Sequence, residues 1–313
     1  MPRDGSINLP AGAAVPAAPM DIGEVANPPF AIRPDPQSIF LKRSERFATL
    51  AKGHEIEGYL RFLADLCRAQ HSVQSELAPA RLPSPEKLAT AHEHMMPPIS
   101  FSRLEPDEIA NQTLLGIARR LSTGTLTQAS KSAVDNVIAA SDDARVAMMR
   151  AILVDEVPDT AIAEHILAAA ALQVHFARLA SGLDVDALKP IAPGACPACG
   201  SAPVSSMLVN WQGMYGSRFC TCSLCSTNWH TARIKCLACG GERGIAYHSI
   251  EGGSSVILGE TCEGCHSYVK IFHQHKDAAL DAVADDVASL ALDIVLGKEG
   301  WVRASANPFL LGY

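Results

Sequence analysis

Apolar positions along the first half of the chain recur at helical spacing, and those after residue 195 alternate over short runs. Asp35-Pro36 offers an N-cap followed by proline at the first helical position. Ile39, Phe40, Phe47 and Leu50 follow, and Gly53 can stop that helix. Tyr59, Leu60, Phe62, Leu63, Leu66 and Cys67 predict a second helix running towards Leu77. A proline-rich interval from Pro79 to Pro98 interrupts the pattern. Pro106-Asp107 opens a third helix through Leu121, and two more are predicted over about 127–140 and 142–156. Asp159 is placed to cap a helix over Ala161–Leu179 that is apolar on nearly every side, as suits the centre of a bundle of five to seven helices.

After the linker "KPIAPGA" the signal changes. "VSSMLVN", "WHTARI", "GIAYHSI", "SSVILGE" and "YVKIFH" read as short strands. The helical pattern returns from Lys276, where Leu280, Val283, Val287, Leu290 and Ile294 form one apolar stripe. The fold class expected is α+β and multidomain: an all-α bundle, two four-cysteine modules and a C-terminal helix. The boundaries read as an N-terminal arm or strap at 1–35, the bundle at 36–190, modules at 194–234 and 235–275, and a helix and tail at 276–313.

Composition narrows the function. A net charge of −7 argues against a protein that binds nucleic acid by neutralising phosphates. The start of the chain lacks the charged head and unbroken apolar core of a secretory signal. The most apolar stretch contains Glu164, His165, Gln173, His175 and Arg178, too many polar groups for a membrane span. The expected compartment is the cytoplasm, where thiols stay reduced.

Nine of the ten cysteines lie between Cys196 and Cys265. They include four CxxC pairs, Cys196/Cys199, Cys222/Cys225, Cys236/Cys239 and Cys262/Cys265, and the first four recur 40 residues on. Both halves read C-x2-C-x22-C-x2-C and open on "CPACG" or "CLACG", which marks a duplicated unit. Two residues between cysteines let a tight turn aim both sulfurs at one point, and two facing turns make a tetrahedral four-thiolate site. A unit of this size buries too little apolar surface to fold unaided, so metal would supply folding energy. Pairing in sequence order is preferred over cross-bracing of the first and third pairs, because it explains why the unit was duplicated whole. Thiolate sites of this kind take zinc or iron, and spacing does not separate them. A thioredoxin-type redox pair is disfavoured, since that fold uses one CxxC at a helix start.

Cys220 falls outside the scheme and is expected to be a spare thiol beside the site; Cys67 is expected to be core packing. His230 reads as a strand histidine or a contact to thiolate or partner. His266, directly after a CxxC pair, is a candidate donor to sulfur. His273 and His275 are expected to be solvated, as is the face bearing Asp277, Asp281 and Asp285. Arg218, Arg233, Lys235 and Arg243 are balanced by Glu242, Glu251, Glu260 and Glu263, so no basic patch is expected. No nucleophilic triad, phosphate-binding glycine loop or HExxH is present, and a closed four-thiolate site leaves no coordination position for substrate. The chain is therefore not expected to be an enzyme.

"CPACGSAPVSSML", "RFCTCSLCSTNWHTARIKCLACG", "ADDVASLALDIVLGKEGW" and the terminal "NPFLL", with "PDPQSIFLKRSERFATLAKGH" and "YLRFLADLCRAQ" nearer the start, closely resemble the FdhE family of formate dehydrogenase accessory proteins. The resemblance runs from about Pro34 to the C-terminus. It implies a helical domain followed by paired rubredoxin-like (zinc-ribbon-like) modules. It also implies a cytoplasmic assembly factor that binds the catalytic subunit of respiratory formate dehydrogenase before twin-arginine export. It makes iron the expected metal, two ions per chain, held by Cys196, Cys199, Cys222, Cys225, Cys236, Cys239, Cys262 and Cys265, with zinc as the alternative. Two other readings compete: an iron-dependent one-electron redox protein acting on the same client, and, less favoured, a zinc-ribbon nucleic-acid module. A second copy of the chain is a further candidate partner.

Overall fold

The computed structural model describes residues 28–250 and 255–312. Among the described residues, seven α-helices fill the first half: α1 (Ile39–Leu50), α2 (Glu57–Gln74), α3 (Pro85–Glu93), α4 (Glu108–Leu121), α5 (Gln128–Ala139), α6 (Asp142–Leu153) and α7 (Ile162–Ser181). The chain as a whole is mixed α and β.

Side-chain caps start four of these helices. Ser84, Asp107, Thr127 and Ser141 each accept a hydrogen bond from a backbone N–H in the first turn of α3, α4, α5 and α6. Two expected starts are corrected. Asp35 does not cap α1 directly; its carboxylate accepts from Gln37 N and Ser38 Oγ in a preceding turn, and the helix begins at Ile39. Asp159 lies in a short 3-10 turn, so α7 starts at Ile162 without a side-chain cap. The proline-rich interval also holds a helix, α3, entered through Ser84 with Pro85 at its first position.

The α7 helix is the axis of the bundle. Its buried face includes Leu167, Leu172, Val174 and Phe176 and a run of alanines from Ala168 to Ala171. Small side chains let α2, α4, α5 and α6 approach it. By length and composition the segment Asp159–Ser181 could cross a membrane, and most of it is buried inside the protein. Gln70 of α2 donates to the Ala170 carbonyl, satisfying a polar group in this core.

The second half forms an eight-stranded sheet. Its strands are β1 (Ala31–Ile32), β2 (Pro203–Leu208), β3 (Arg218–Cys222), β4 (Asn228–Thr231), β5 (Ile245–His248), β6 (Ile257–Cys262), β7 (Ser267–His273) and β8 (Val302–Arg303). The order is β1-β4-β3-β2-β7-β6-β5, with β8 on β7. Within it, β2-β3-β4 and β5-β6-β7 are antiparallel meanders, joined where β2 runs parallel to β7 through Ser206–Leu208 and Ile271–His273. The five expected strands are present as β2, β4, β5, β6 and β7; β3, two of whose five residues are cysteines, and the two-residue strands β1 and β8 carry too little alternation to be read from the sequence. Residues 28–35 are no free arm at this point: β1 pairs antiparallel with β4, and the rest of the expected arm, 1–27, lies outside the described residues.

The C-terminal segment departs from the single helix expected. It makes two short helices, α8 (Ala284–Ala288) and α9 (Leu290–Lys298), broken at Ser289. The stripe therefore splits: Leu280, Val283 and Val287 are buried, whereas Ile294 is exposed and Leu292 and Leu296 face inward instead. Leu296 packs so tightly on Gly259 of β6 that a Cβ there would lie 2.4 Å from Leu296 Cδ1.

The aspartates expected on a solvated face are also placed differently. Asp285 is buried and takes Arg46 of α1 at 2.6 Å; Arg46 also reaches Asp277 at 2.9 Å, and Arg43 reaches Asp281 at 3.3 Å. Burial raises the Asp285 carboxyl above its ordinary pKa, and Arg46 opposes that shift. The charges tie the C-terminal segment to the first helix of the bundle.

Candidate metal centres

Each CxxC pair sits in a tight turn, two of them at the ends of β3 and β6, and the same backbone device closes all four turns. The residue after the second cysteine takes a left-handed conformation: Gly200 (φ 84°), Ser226 (φ 58°), Gly240 (φ 75°) and His266 (φ 55°). Glycine enters this region freely, and the other two positions hold it against steric cost. In three of the turns the N–H of that residue donates to the carbonyl of the first cysteine: Gly200 to Cys196, Gly240 to Cys236 and His266 to Cys262. The turn thus presents both sulfurs on one side.

The thiols group in sequence order. Cys196, Cys199, Cys222 and Cys225 form one cluster and Cys236, Cys239, Cys262 and Cys265 the other, each with its sulfurs within 4.8 Å of one another. Across the first cluster, Cys196 lies 3.5 Å from Cys225 and Cys199 lies 3.4 Å from Cys222. Across the second the corresponding distances are 3.5 Å and 3.8 Å. A tetrahedral ion with metal–sulfur bonds of about 2.3 Å sets its ligands about 3.8 Å apart. A disulfide would need about 2.05 Å. The donor set therefore fits a four-coordinate metal ion.

Donors surround the sulfurs. The backbone N–H groups of Leu224 and Cys225 point at Cys222 Sγ at 3.4 and 3.3 Å. Those of Cys239 and Gly241 point at Cys236 Sγ and Cys239 Sγ at 3.5 and 3.4 Å. Thr227 Oγ1 lies 3.1 Å from Cys225 Sγ, and Ser267 Oγ lies 2.9 Å from Cys265 Sγ. These two hydroxyls occupy equivalent places 40 residues apart, a repeat legible in "CST" and "CHS" but not used in reading the sequence. Such hydrogen bonds favour thiolate over thiol and tune a bound metal. Burial raises the Cys225 thiol, yet hydrogen bonding with Cys196, Cys199, Cys222 and Thr227 outweighs it and holds the group well below its usual pKa. Cys265 behaves alike, reaching about 7 as bonds from Ser267 and the other three cysteines overcome burial. Burial instead drives Cys196 and Cys199 upward. Four crowded sulfurs cannot all ionise without a cation among them.

The two clusters have different surroundings. The first is buried throughout and belongs to the main apolar core. Gln173 of α7 donates to the Ser223 carbonyl at 2.9 Å, and the N–H groups of Ile99 and Phe101 donate to the Ala198 and Cys199 carbonyls. The second is open at Cys239 and Cys265, both exposed. Arg218 joins the two units. Fully buried, it donates to Glu260 of β6 at 2.7 Å and to the carbonyls of Arg233 and Lys235, which link the clusters. Arg218 and Glu260 are thus an internal pair, not the surface charges expected. Burial raises the Glu260 carboxyl, and Arg218 holds it back. Glu251 lies outside the described residues.

Cys220 is buried in β3 opposite Trp229 and Ser206 and joins neither cluster; burial lifts its thiol to about 12. Cys67 is enclosed in the bundle core and likewise reaches about 12 by burial. His230 packs edge-on against Phe219 and donates its backbone N–H to Phe30. His266 stacks on Trp301 with ring centres 4.5 Å apart. His273 is half-buried rather than solvated, and desolvation, with Lys276, His275 and Arg233 nearby, lowers its pKa to about 4. His275 is exposed.

Three family models match the chain: FdhE, N-terminal, over residues 28–193; FdhE, central domain, over 195–233; and FdhE, C-terminal domain, over 234–310. A Protein FdhE homolog of Rhizobium meliloti is 37% identical over 297 residues, covering 94% of this chain and 97% of the relative. Protein FdhE of Salmonella dublin is 32% identical over 276 residues, covering 88% of each. The crystal structure of the FdhE protein from Pseudomonas aeruginosa superposes with a TM-score of 0.80 at 34% identity, over 91% of this chain and 99% of that one. Matched from end to end of its described fold, the chain belongs to the FdhE family.

Proposed function

We propose that this chain is a non-catalytic, cytoplasmic accessory factor that binds the catalytic subunit of respiratory formate dehydrogenase before its export. In this reading Cys196, Cys199, Cys222 and Cys225 hold one metal ion, and Cys236, Cys239, Cys262 and Cys265 hold a second. The metal is iron, with zinc as the alternative. The observation that carries the proposal is the pair of four-sulfur clusters with tetrahedral spacing, set in a chain of the FdhE family. All four positions of each site are protein ligands, so the sites suit binding and folding rather than hydrolysis. The units are taken as rubredoxin-like modules at 194–234 and 235–275, after a bundle at 36–190 and before a C-terminal segment at 276–313. The breaks between the matched family models at 193/195 and 233/234 support the first two of those divisions.

The test is capture of the formate dehydrogenase catalytic subunit by this protein, prepared without oxygen, together with an assay for formate oxidation. Capture without turnover is expected. Turnover by the pure protein, or no capture of the subunit, contradicts the proposal. A one-electron redox role is the second reading. The N–H groups aimed at Cys222, Cys236 and Cys239 favour it, because such bonds tune iron–thiolate potentials. Colour that bleaches reversibly on reduction would support it, and a colourless zinc protein would exclude it.

A further inference from the structure

We propose that the two clusters differ in kind: the second is an exchangeable centre, open to an incoming thiolate or small chelating donor at its Cys239 edge, and the first is permanently enclosed. This rests on the reading that both clusters hold a metal ion.

Ligand exchange at a closed four-thiolate ion requires the incoming donor to reach the metal as one cysteine leaves. Among the described residues, the first cluster is covered against that approach. All four cysteines are fully buried. One flank is pinned to α7 through Gln173, and another is covered by the segment at Ile99 and Phe101 through two backbone hydrogen bonds. Pro97 sits over the closing Gly200, 3.1 Å from where a Cβ would stand. Opening this site means lifting the helical domain off the sheet.

Among the described residues, the second cluster has no such lid. Cys236 and Cys262 are buried, but Cys239 and Cys265 are both exposed. Its neighbours are short loops: Pro193 against Gly240, Glu263 against Gly244, and Trp301 stacked on His266. The sulfurs are also held unequally. Cys265 has the Ser267 hydroxyl at 2.9 Å, whereas among the described residues the donor to Cys239 from outside the cluster is the Gly241 N–H at 3.4 Å. Cys239 is therefore the ligand that leaves first. In the exchange a donor thiolate forms a bond to the metal, the Cys239–metal bond breaks, and Cys239 departs as a thiolate that takes a proton from water. The oxidation state of the metal does not change. The ligand class is a soft donor: a cysteine of a partner protein, or a small thiol.

The experiment uses the intact chain loaded with zinc and challenged with a chromogenic chelator under argon. Metal release is followed by colour, and free thiols are trapped by alkylation and mapped by mass spectrometry. One ion per chain should leave at least about tenfold faster than the other, with alkyl label appearing first on Cys239. Cys196, Cys199, Cys222 and Cys225 should stay unlabelled while the first ion leaves. A Cys239→Ser variant should bind one ion and show only the slow phase, without requiring the first cluster to be disturbed. Two ions that leave at one rate, or label appearing first in the first cluster, would overturn the inequality and leave the metal sites standing. A chain that binds no ion at all would overturn both.

Discussion

At the residue scale, the duplication keeps some positions and diverts others. The last cysteine of each unit keeps its hydroxyl partner, Thr227 or Ser267, and each unit closes its turns on left-handed residues. By contrast Cys220 of the first unit corresponds by the 40-residue offset to Glu260 of the second, the carboxylate that takes Arg218. A position that carries an ion pair in one unit and a buried, protonated thiol in the other is not a ligand position. Cys220→Ser should therefore leave metal content unchanged. It should cost about 1–3 kcal/mol through the hydroxyl placed in an apolar site, read by thermal unfolding against metal analysis of the same sample. A loss of one ion would place Cys220 among the ligands.

At the element scale, the C-terminal segment is fastened by charge as well as by apolar packing. Lys270 of β7, fully buried, pairs with Asp286 at 3.3 Å and with Asp293, while Arg303 of β8 pairs with the same two carboxylates at 2.6 and 2.9 Å. Lys270→Met would leave two buried carboxylates to one arginine. Breaking such a network costs about 3–5 kcal/mol, and the fall in unfolding temperature should be the measure. A change within error would show that the pair carries no stability. At the other end of β7, His273 is held neutral by its partial burial. Its folded pKa of about 4 lies below the ordinary value of 6.5, so the folded state binds fewer protons than the unfolded one. The sign follows: its contribution is intact above pH 6.5 and is lost as pH falls from there towards 4. His273→Gln should flatten the stability profile over that window relative to the native chain, with acid release of metal common to both. Parallel profiles would contradict it. These charged contacts were not legible in the sequence. The spacing of Asp277, Asp281 and Asp285 is that of any solvated helix face, and only the docking of α8 on α1 brings Arg43 and Arg46 to them. Helix existence was legible because apolar spacing and the Asp107, Thr127 and Ser141 caps agree. The broken helix at Ser289 was hidden because the leucines of α9 suit either register.

At the scale of the whole molecule, the two units are not beads on a string. The parallel pairing of β2 with β7 makes one sheet of both, Arg218 spans them, and the first cluster lies in the same core as α2, α4 and α7. The CxxC repeat told which sulfurs converge, because the turn geometry that aims them is local. It could not tell which cluster is covered, because the cover comes from α7 and from residues 97–101, far away in the chain. The central requirement is two metal ions bound by separate sets of four thiolates. Metal analysis of anaerobically prepared protein, native and with Cys222→Ser or Cys262→Ser, tests this most directly. The expected ratios are two ions per chain for the native protein and one for each variant. Fewer than two ions in the native chain, or two retained in either variant, would contradict it.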